Sequence, residues 1–203
     1  MIKNIVFDLG NVILKDVPSI VLENIELTVG EKNKIKELFL GNWKELDLGN
    51  ETLEEHFNNC KFDFSINEDI KEKLLNYYKY RPLNKDMIDL MNKLKNNNYD
   101  IWILSNNNKE AYEYIRKLPQ FQCVSGWVIS CDYCIAKPNK EIYIKLFDKF
   151  NVKPKECFFI DDKKENVEVG ITFGMKGFIF NYKNNRKIKW IIFKDFKNEI
   201  MEV

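Results

Sequence analysis

The sequence predicts an α/β fold: a Rossmann-like, doubly wound parallel sheet that carries an inserted helical subdomain. Three short runs, NIVFD at 4–8, DIWILS at 100–105 and ECFFID at 156–161, are compact, β-branched and aromatic, and each ends in a polar or acidic residue. Such runs suit strands buried on both faces. Segments of helical periodicity lie between them, and strands alternating with helices make βαβ units and a parallel sheet. Residues 15–80 break the alternation with a helix-rich block and no convincing strand.

The first run ends at Asp8, and the block follows directly, with Leu38, Phe39, Leu53, Phe57, Leu74, Leu75, Tyr77 and Tyr78 as its apolar faces. The expected division is a core of residues 1–14 and 81–203 and a helical cap of residues 15–80. Pro18 and Pro82 mark hinges, because each biases its preceding residue away from helix. An insertion at the carboxyl edge of a sheet lies over the usual ligand crevice, where closure excludes water. The sole histidine, His56, sits near Leu53 and Phe57 and is expected to be partly exposed on a helix.

After the block, residues 84–97 place Met87, Ile88, Leu90, Met91 and Leu94 on one helical face, and the run Asn96–Asn98 ends it. Beyond the strand at 100–105 come a helix at 108–118, a strand GWVIS at 126–130 and a helix at 139–150 bearing Ile142, Tyr143, Leu146 and Phe147. The strand at 156–161 is followed by a helix at 163–173 and a strand GFIF at 177–180. The tail KNNRKIKWIIFKDFKNEI reads as a final strand or helix packed on the core with its lysines facing water.

Composition narrows the function. The 203 residues are 45% hydrophobic and 14% aromatic, enough for a real core, and the net charge of +1 argues against disorder. The same balance argues against a nucleic-acid partner, which calls for a basic excess. The opening apolar run is cut short by an aspartate, and no stretch approaches the roughly 20 apolar residues that span a membrane. A cytoplasmic protein is expected, with five free thiols in a reducing compartment. Cys131 and Cys134 form one CxxC without a second pair, so filling space in a loop is the favoured reading over a redox or metal role.

The strands deliver chemistry at their carboxyl ends: Asp8 from the first, Ser105 and Asn106 from the second, Asp161 and Asp162 from the last. Lys137 precedes a proline at a helix start. In a parallel sheet these ends share one edge. A lone aspartate after a strand is usually a helix cap, whereas three carboxylates, a hydroxyl and a lysine on three strands exceed what capping needs. They suit phosphoryl transfer through an aspartyl-phosphate. The attacking carboxylate would repel a phosphate dianion, so a cation must screen the pair, and Mg²⁺ does so with oxygen ligands. A lysine and neutral donors hold the remaining phosphate oxygens.

At these residues the chain resembles the haloacid dehalogenase-like (HAD) hydrolase superfamily, in the branch whose helical cap follows the first motif. FDLGNVIL at 7–14, LSN at 104–106, KPN at 137–139 and FIDDKKENV at 159–167 resemble its four motifs in order and spacing. Bacterial α-glucose-1-phosphate phosphatases and the phosphatase domain of epoxide hydrolases are similar in this respect. The resemblance implies a monomeric Mg²⁺-dependent hydrolase of a small phosphorylated substrate. In it Asp8 is nucleophile and metal ligand, the Gly10 backbone carbonyl and Asp162 complete the ligand set, and Ser105, Asn106 and Lys137 bind phosphate. Lys137 also neutralises the nucleophile, with Asp161 beside it and Asn166 as a supporting group or an ordinary helix residue. It further implies that Trp43, Asp47 and Leu48, near the turn at 49–51, face substrate and set specificity.

One position departs from the pattern. Most phosphatases of the superfamily place a second aspartate two residues after the nucleophile, where it moves the leaving-group proton, and here that position is Gly10. A positioned acid–base group is worth about 10²–10⁴-fold. Phosphatase action with another proton donor is therefore the first expectation. A non-catalytic phosphometabolite or protein binder comes second, and a haloacid dehalogenase, whose halide leaves without a proton, third.

Overall fold

The computed structural model describes residues 1–15, 18–23 and 25–181, so the expected tail element lies outside the described residues. Strand β1 (Asn4–Phe7) leads into helices α1 (Pro18–Glu23), α2 (Val29–Leu38), α3 (Lys44–Asp47), α4 (Leu53–Asn59) and α5 (Glu68–Leu75), closed by a 3₁₀ turn at Tyr77–Tyr80. The chain then alternates α6 (Lys85–Asn96), β2 (Asp100–Ser105), α7 (Lys109–Ile115), β3 (Gly126–Ile129), α8 (Lys140–Phe150), β4 (Cys157–Asp161), α9 (Lys164–Thr172) and β5 (Lys176–Ile179). Every strand falls within one residue of its expected ends.

The five strands pair in parallel in the order β3-β2-β1-β4-β5. The winding moves outward from β1 to β2 and β3, then jumps back across β1 to β4. That reversal opens a crevice at the carboxyl end of β1, the place where such sheets bind ligands. Side chains alternate across the sheet. Ile5, Phe7, Ile101, Ile103 and Ile160 meet Met87 and Met91 of α6 and Ile115 of α7 on one face. Val6, Leu104, Val128 and Phe159 meet Ile142, Tyr143 and Leu146 of α8 on the other. The first of these cores runs on without a break into Ile35, Phe39, Leu53, Leu74 and Tyr77, so the inserted helices share it.

The chain leaves and re-enters the sheet through a short antiparallel tie. Leu14 bridges Leu83, the Lys15 N–H donates to the Pro82 carbonyl at 2.9 Å, and the Asn84 N–H donates to the Ile13 carbonyl at 2.7 Å. Pro82 serves here only as an acceptor, so its missing N–H costs nothing. Helix α7 stops at Ile115, three residues short of expectation, because Pro119 holds Leu118 extended at φ −67° and ψ 140°.

His56 corrects the sequence reading. It is buried rather than partly exposed, because both ring nitrogens find partners: Nδ1 lies 2.6 Å from Glu51 Oε1 and Nε2 lies 3.0 Å from the Phe39 carbonyl. Cys131 lies in the 3₁₀ turn Ser130–Asp132, and burial pushes its thiol up to about 12. Its backbone sits so close to Gly49 that a Cβ there would meet the Cys131 carbonyl at 2.6 Å, and Gly49 has a φ of +71° besides. Only glycine fits that contact, which joins the turn after α3 to the turn after β3. Among the described residues no helix is long and apolar enough to cross a membrane.

Candidate active site

Register sets the geometry. Phe7 pairs with Ile103 of β2 and Ile160 of β4, so Asp8 and Asp161 emerge side by side one residue further on. The Asp8 N–H donates to the Ile160 carbonyl at 2.9 Å, which ties the end of β1 to β4. The chain then turns sharply: Asn11 adopts a φ of +54°, and the N–H groups of Ile13 and Leu14 both donate to the Leu9 carbonyl. Asparagine tolerates this left-handed conformation better than most residues. It also donates from Nδ2 to Asp162 Oδ2 at 3.0 Å, stitching the turn after β1 to the loop after β4.

Lys137 is the centre of the site. Its buried ammonium donates to Asp8 Oδ1 at 2.7 Å, Asp161 Oδ2 at 2.6 Å and the Leu104 carbonyl at 2.8 Å, which uses all three of its protons. Asn106 fixes the backbone of that lysine from both sides: the Lys137 N–H donates to Asn106 Oδ1, and Asn106 Nδ2 donates to the Lys137 carbonyl. One amide N–H of Asn106 and its Oδ1 are thereby given to the Lys137 backbone. Ser105 is buried beside it and lines the same pocket. Asp161 is fully buried; its Oδ1 accepts the Lys163 N–H, and both its oxygens accept from Asn166 Nδ2 at 3.0 Å. Asn166, for which exposure was an open reading, is buried, and its Oδ1 is a buried acceptor without a hydrogen-bond donor among the described residues.

The charges are strained by burial. It pushes the Asp8 carboxyl up to about 6, with Lys137 opposing and Asp161 adding to the rise. Asp162 is raised by burial against its Asn11 hydrogen bond. Burial would neutralise Lys137, but the charges of Asp8 and Asp161 outweigh it and hold the ammonium above its ordinary range. These groups line a cavity of about 280 Å³ with Gly10, Trp43, Asp47 and Arg81. Burial pushes Asp47 up to about 7.

Ligand oxygens of Asp8, Asp161 and Asp162 all lie within 4.8 Å of one another. Hard carboxylate oxygens without thiolate or imidazole suit Mg²⁺ and not zinc. Since both Asp161 oxygens are engaged within the chain, Asp8 and Asp162 are the carboxylates disposed to hold an ion. The donor set therefore fits the expected metal.

An acid whose pKa is raised by folding takes up protons as it folds, so stability falls as pH climbs from the ordinary carboxylate value through the raised one. For Asp8 and Asp47 that window runs from 3.8 to about 6 and about 7. The two lie in one another's field and their costs overlap. The metal-free protein is expected to lose about 3 kcal/mol between pH 5 and pH 8. Urea unfolding in EDTA at both values measures this, and Mg²⁺ at pH 8 is expected to restore much of it. A flat profile would mean the carboxylates are not held against their charge.

Some lining residues carried no signal in sequence. Arg81 and Asn107 line the cavity and belong to none of the four motifs, and Lys163 lies within the fourth but was given no role from it. Arg81 could be placed only once the antiparallel tie was known, since that tie returns the chain beside Gly10.

Comparisons with known proteins agree with this arrangement. A sequence profile described as haloacid dehalogenase-like hydrolase matches residues 2–174. The chain is 27% identical over 195 residues to a D-ribitol-5-phosphate phosphatase of Bacteroides thetaiotaomicron, covering 88% of this chain and 91% of that one. It is 32% identical over 84 residues to a flavin mononucleotide hydrolase of Arabidopsis thaliana, covering 41% of this chain but only 31% of the relative. An (S)-2-haloacid dehalogenase of Burkholderia cepacia is 28% identical over 117 residues, 57% of this chain and 51% of that protein. In fold, the chain superposes on a HAD family enzyme of Bacteroides thetaiotaomicron solved as a magnesium complex, with a TM-score of 0.73, 24% identity and coverage of 89% and 93%. Because the profile runs from the first strand through the last helix of the sheet and takes in the whole carboxylate edge, the chain belongs to the haloacid dehalogenase-like hydrolase family.

Proposed function

We propose that the chain is a Mg²⁺-dependent phosphatase acting on a small phosphorylated metabolite, a sugar or polyol phosphate among them, through a phosphoryl group carried on Asp8. The observation that carries this reading is the Lys137 ammonium held between Asp8 and Asp161 at the floor of a polar cavity. The likeness to a ribitol-phosphate phosphatase along most of both chains supports the substrate class.

Asp8 Oδ1 is anchored to Lys137, which leaves Oδ2 to attack phosphorus. Lys137 withdraws charge from the nucleophile and attracts the incoming dianion. The Ser105 hydroxyl and the Asn106 backbone N–H receive phosphoryl oxygens. Asp161 holds Lys137 in place, and Asn166 holds Asp161. Asp8, Asp162 and the Gly10 carbonyl would hold Mg²⁺, which when bound screens the repulsion between carboxylate and phosphate. Helices α1–α5, entered and left through the tie at Leu14 and Leu83, act as the cap that covers the cavity.

Phosphate release from p-nitrophenyl phosphate and a panel of sugar and polyol phosphates, in Mg²⁺ and in EDTA, tests the reading. Turnover that falls at least about 100-fold in EDTA is expected from the loss of the screening charge. No release from any ester, alongside tight binding of one, would favour a binding protein. Gly10 favours one second reading: halide displacement needs no leaving-group proton. Chloride release from 2-chloropropionate without metal would establish it, and the three-carboxylate cluster counts against it.

A further inference from the structure

We infer that Asp47, on the inserted helix α3, is the general acid–base of this site and supplies the proton chemistry that Gly10 cannot. The inference rests on the phosphatase reading above. An alkoxide leaves slowly unless a positioned acid protonates it, and the water that follows needs a base. Glycine at position 10 offers neither. A Cβ there would stand 3.7 Å from Asp8 Oδ2 and 3.7 Å from Arg81 Nη2, so the space it leaves faces the reacting carboxylate directly.

The cavity itself narrows the candidates. Among the described residues, three carboxylates line it: Asp8, Asp162 and Asp47. Asp8 is the nucleophile. Asp162 is bound to Asn11 and belongs to the ion-holding cluster. Arg81 does not release its proton in proteins, the three protons of Lys137 are all donated within the chain, and Lys163, which also lines the cavity, is solvent-exposed. Asp47 remains. Its carboxylate makes no hydrogen bond or ion pair to any described residue, although it is half-buried. Such a carboxylate is costly to keep without a use.

Its placement is built in from both sides. The Asp47 N–H donates to the Trp43 carbonyl at 2.8 Å, and Leu46 beside it is buried in the core. Trp43 packs edge-on against Tyr77 and donates from its indole to the Phe39 carbonyl. Gly49 presses the following turn onto the backbone of Cys131. The helix therefore presents Asp47 to the cavity as a fixed group. Burial and the nearby charge of Asp8 raise its carboxyl to about 7, against Lys163, Lys137 and Arg81. On the turn packed against α3, Cys131 stays neutral and Asp132 is paired with Lys109. An acid poised near neutrality can both give and take the proton.

In the first step an Asp8 oxygen bonds to phosphorus and the bond from phosphorus to the leaving oxygen breaks. That oxygen keeps the electron pair and takes the proton of Asp47, leaving as an alcohol. In the second step the Asp47 carboxylate takes a proton from water as the water oxygen bonds to phosphorus. The bond from phosphorus to Asp8 breaks, Asp8 regains its carboxylate, and phosphate departs with Asp47 protonated again.

The experiment is single-turnover and burst kinetics of the full chain in Mg²⁺ with p-nitrophenyl phosphate and phenyl phosphate, comparing wild type, Asp47→Asn and Asp8→Asn. Nitrophenolate leaves without help and phenolate does not. For Asp47→Asn we expect a full nitrophenol burst, a breakdown of the phosphoenzyme slowed about 10²–10⁴-fold, and a first step on phenyl phosphate slowed comparably. The burst itself shows that the variant is folded and its nucleophile intact, and Asp8→Asn is expected to lose it. Unchanged steps in Asp47→Asn, or an equal loss on both esters with no burst, would overturn the role of Asp47 while leaving Asp8 as nucleophile. A wild type that turns over neither ester overturns the phosphatase reading and this inference together.

Discussion

Asp8→Asn is expected to lower phosphate release by a factor on the order of 10⁵, the scale on which enzymes lose rate when a covalent nucleophile is removed. The amide keeps the shape of the carboxylate and can still accept from Lys137 through its oxygen, so the loss reports chemistry and not collapse. Stability is expected to move the other way. The raised pKa of Asp8 means that its surroundings, Lys137 included, disfavour its charge on balance. At pH 8 in EDTA the neutral variant should be about 1–3 kcal/mol more stable than wild type. Below pH 5, where Asp8 is protonated anyway, the two should converge. Added Mg²⁺ should stabilise wild type and not the variant, because one of the carboxylates disposed to hold the ion is gone. Urea titrations at the two pH values, with and without metal, measure all of this. Activity within tenfold of wild type would remove Asp8 from the chemistry, whatever the stability showed.

How far the sequence reaches depends on the range of the forces involved. Strand β2, DIWILS, was legible because a strand buried on both faces must be apolar along its interior, a signal confined here to the four residues between Asp100 and Ser105. The convergence of Asp8, Ser105 and Asp161 followed from the parallel sheet, which brings strand ends to one edge whatever the loops do. The premature end of α7 was also local, since Pro119 was there to be weighed. His56 was not legible: Glu51 stands just before its own helix, but the Phe39 carbonyl comes from another segment, and a buried histidine looks like an exposed one until that segment arrives. Arg81 is the same case at the cavity, whereas Asp47 was expected near the substrate from the family resemblance and does line the cavity. Asp47 reaches it only because α3 is fixed by Trp43 on one side and by Gly49 against Cys131 on the other, and neither contact has a sequence pattern. The side chain of Asn106 shows a subtler gap. A motif says that an asparagine stands there, and only geometry says that its Oδ1 and one amide N–H go to the backbone of Lys137.

Lys137→Met should cost more stability than any change on the carboxylate side. The two charges it serves are buried, and the ammonium that joins them is nearly solvent-free. Methionine matches much of the aliphatic stem but leaves Asp8 and Asp161 facing each other without a cation, and breaking a buried ion pair in this way costs about 3–5 kcal/mol. The loss should shrink as pH falls, because protonating one carboxyl removes the repulsion, so the variant should be markedly less destabilised at pH 5 than at pH 8. Asp8→Asn combined with Lys137→Met separates repulsion from lost packing. If the lysine acts mainly by neutralising charge, the double variant should be more stable at pH 8 than Lys137→Met alone, with a coupling of about 1–3 kcal/mol across the cycle. Additive effects would mean that Lys137 is held for its packing and its bond to the Leu104 carbonyl. The phosphoenzyme should then still form in the single variant at a near-normal rate. The charge reading requires it to be slowed by several orders of magnitude, because a nucleophile and a dianion would meet with one fewer cation between them.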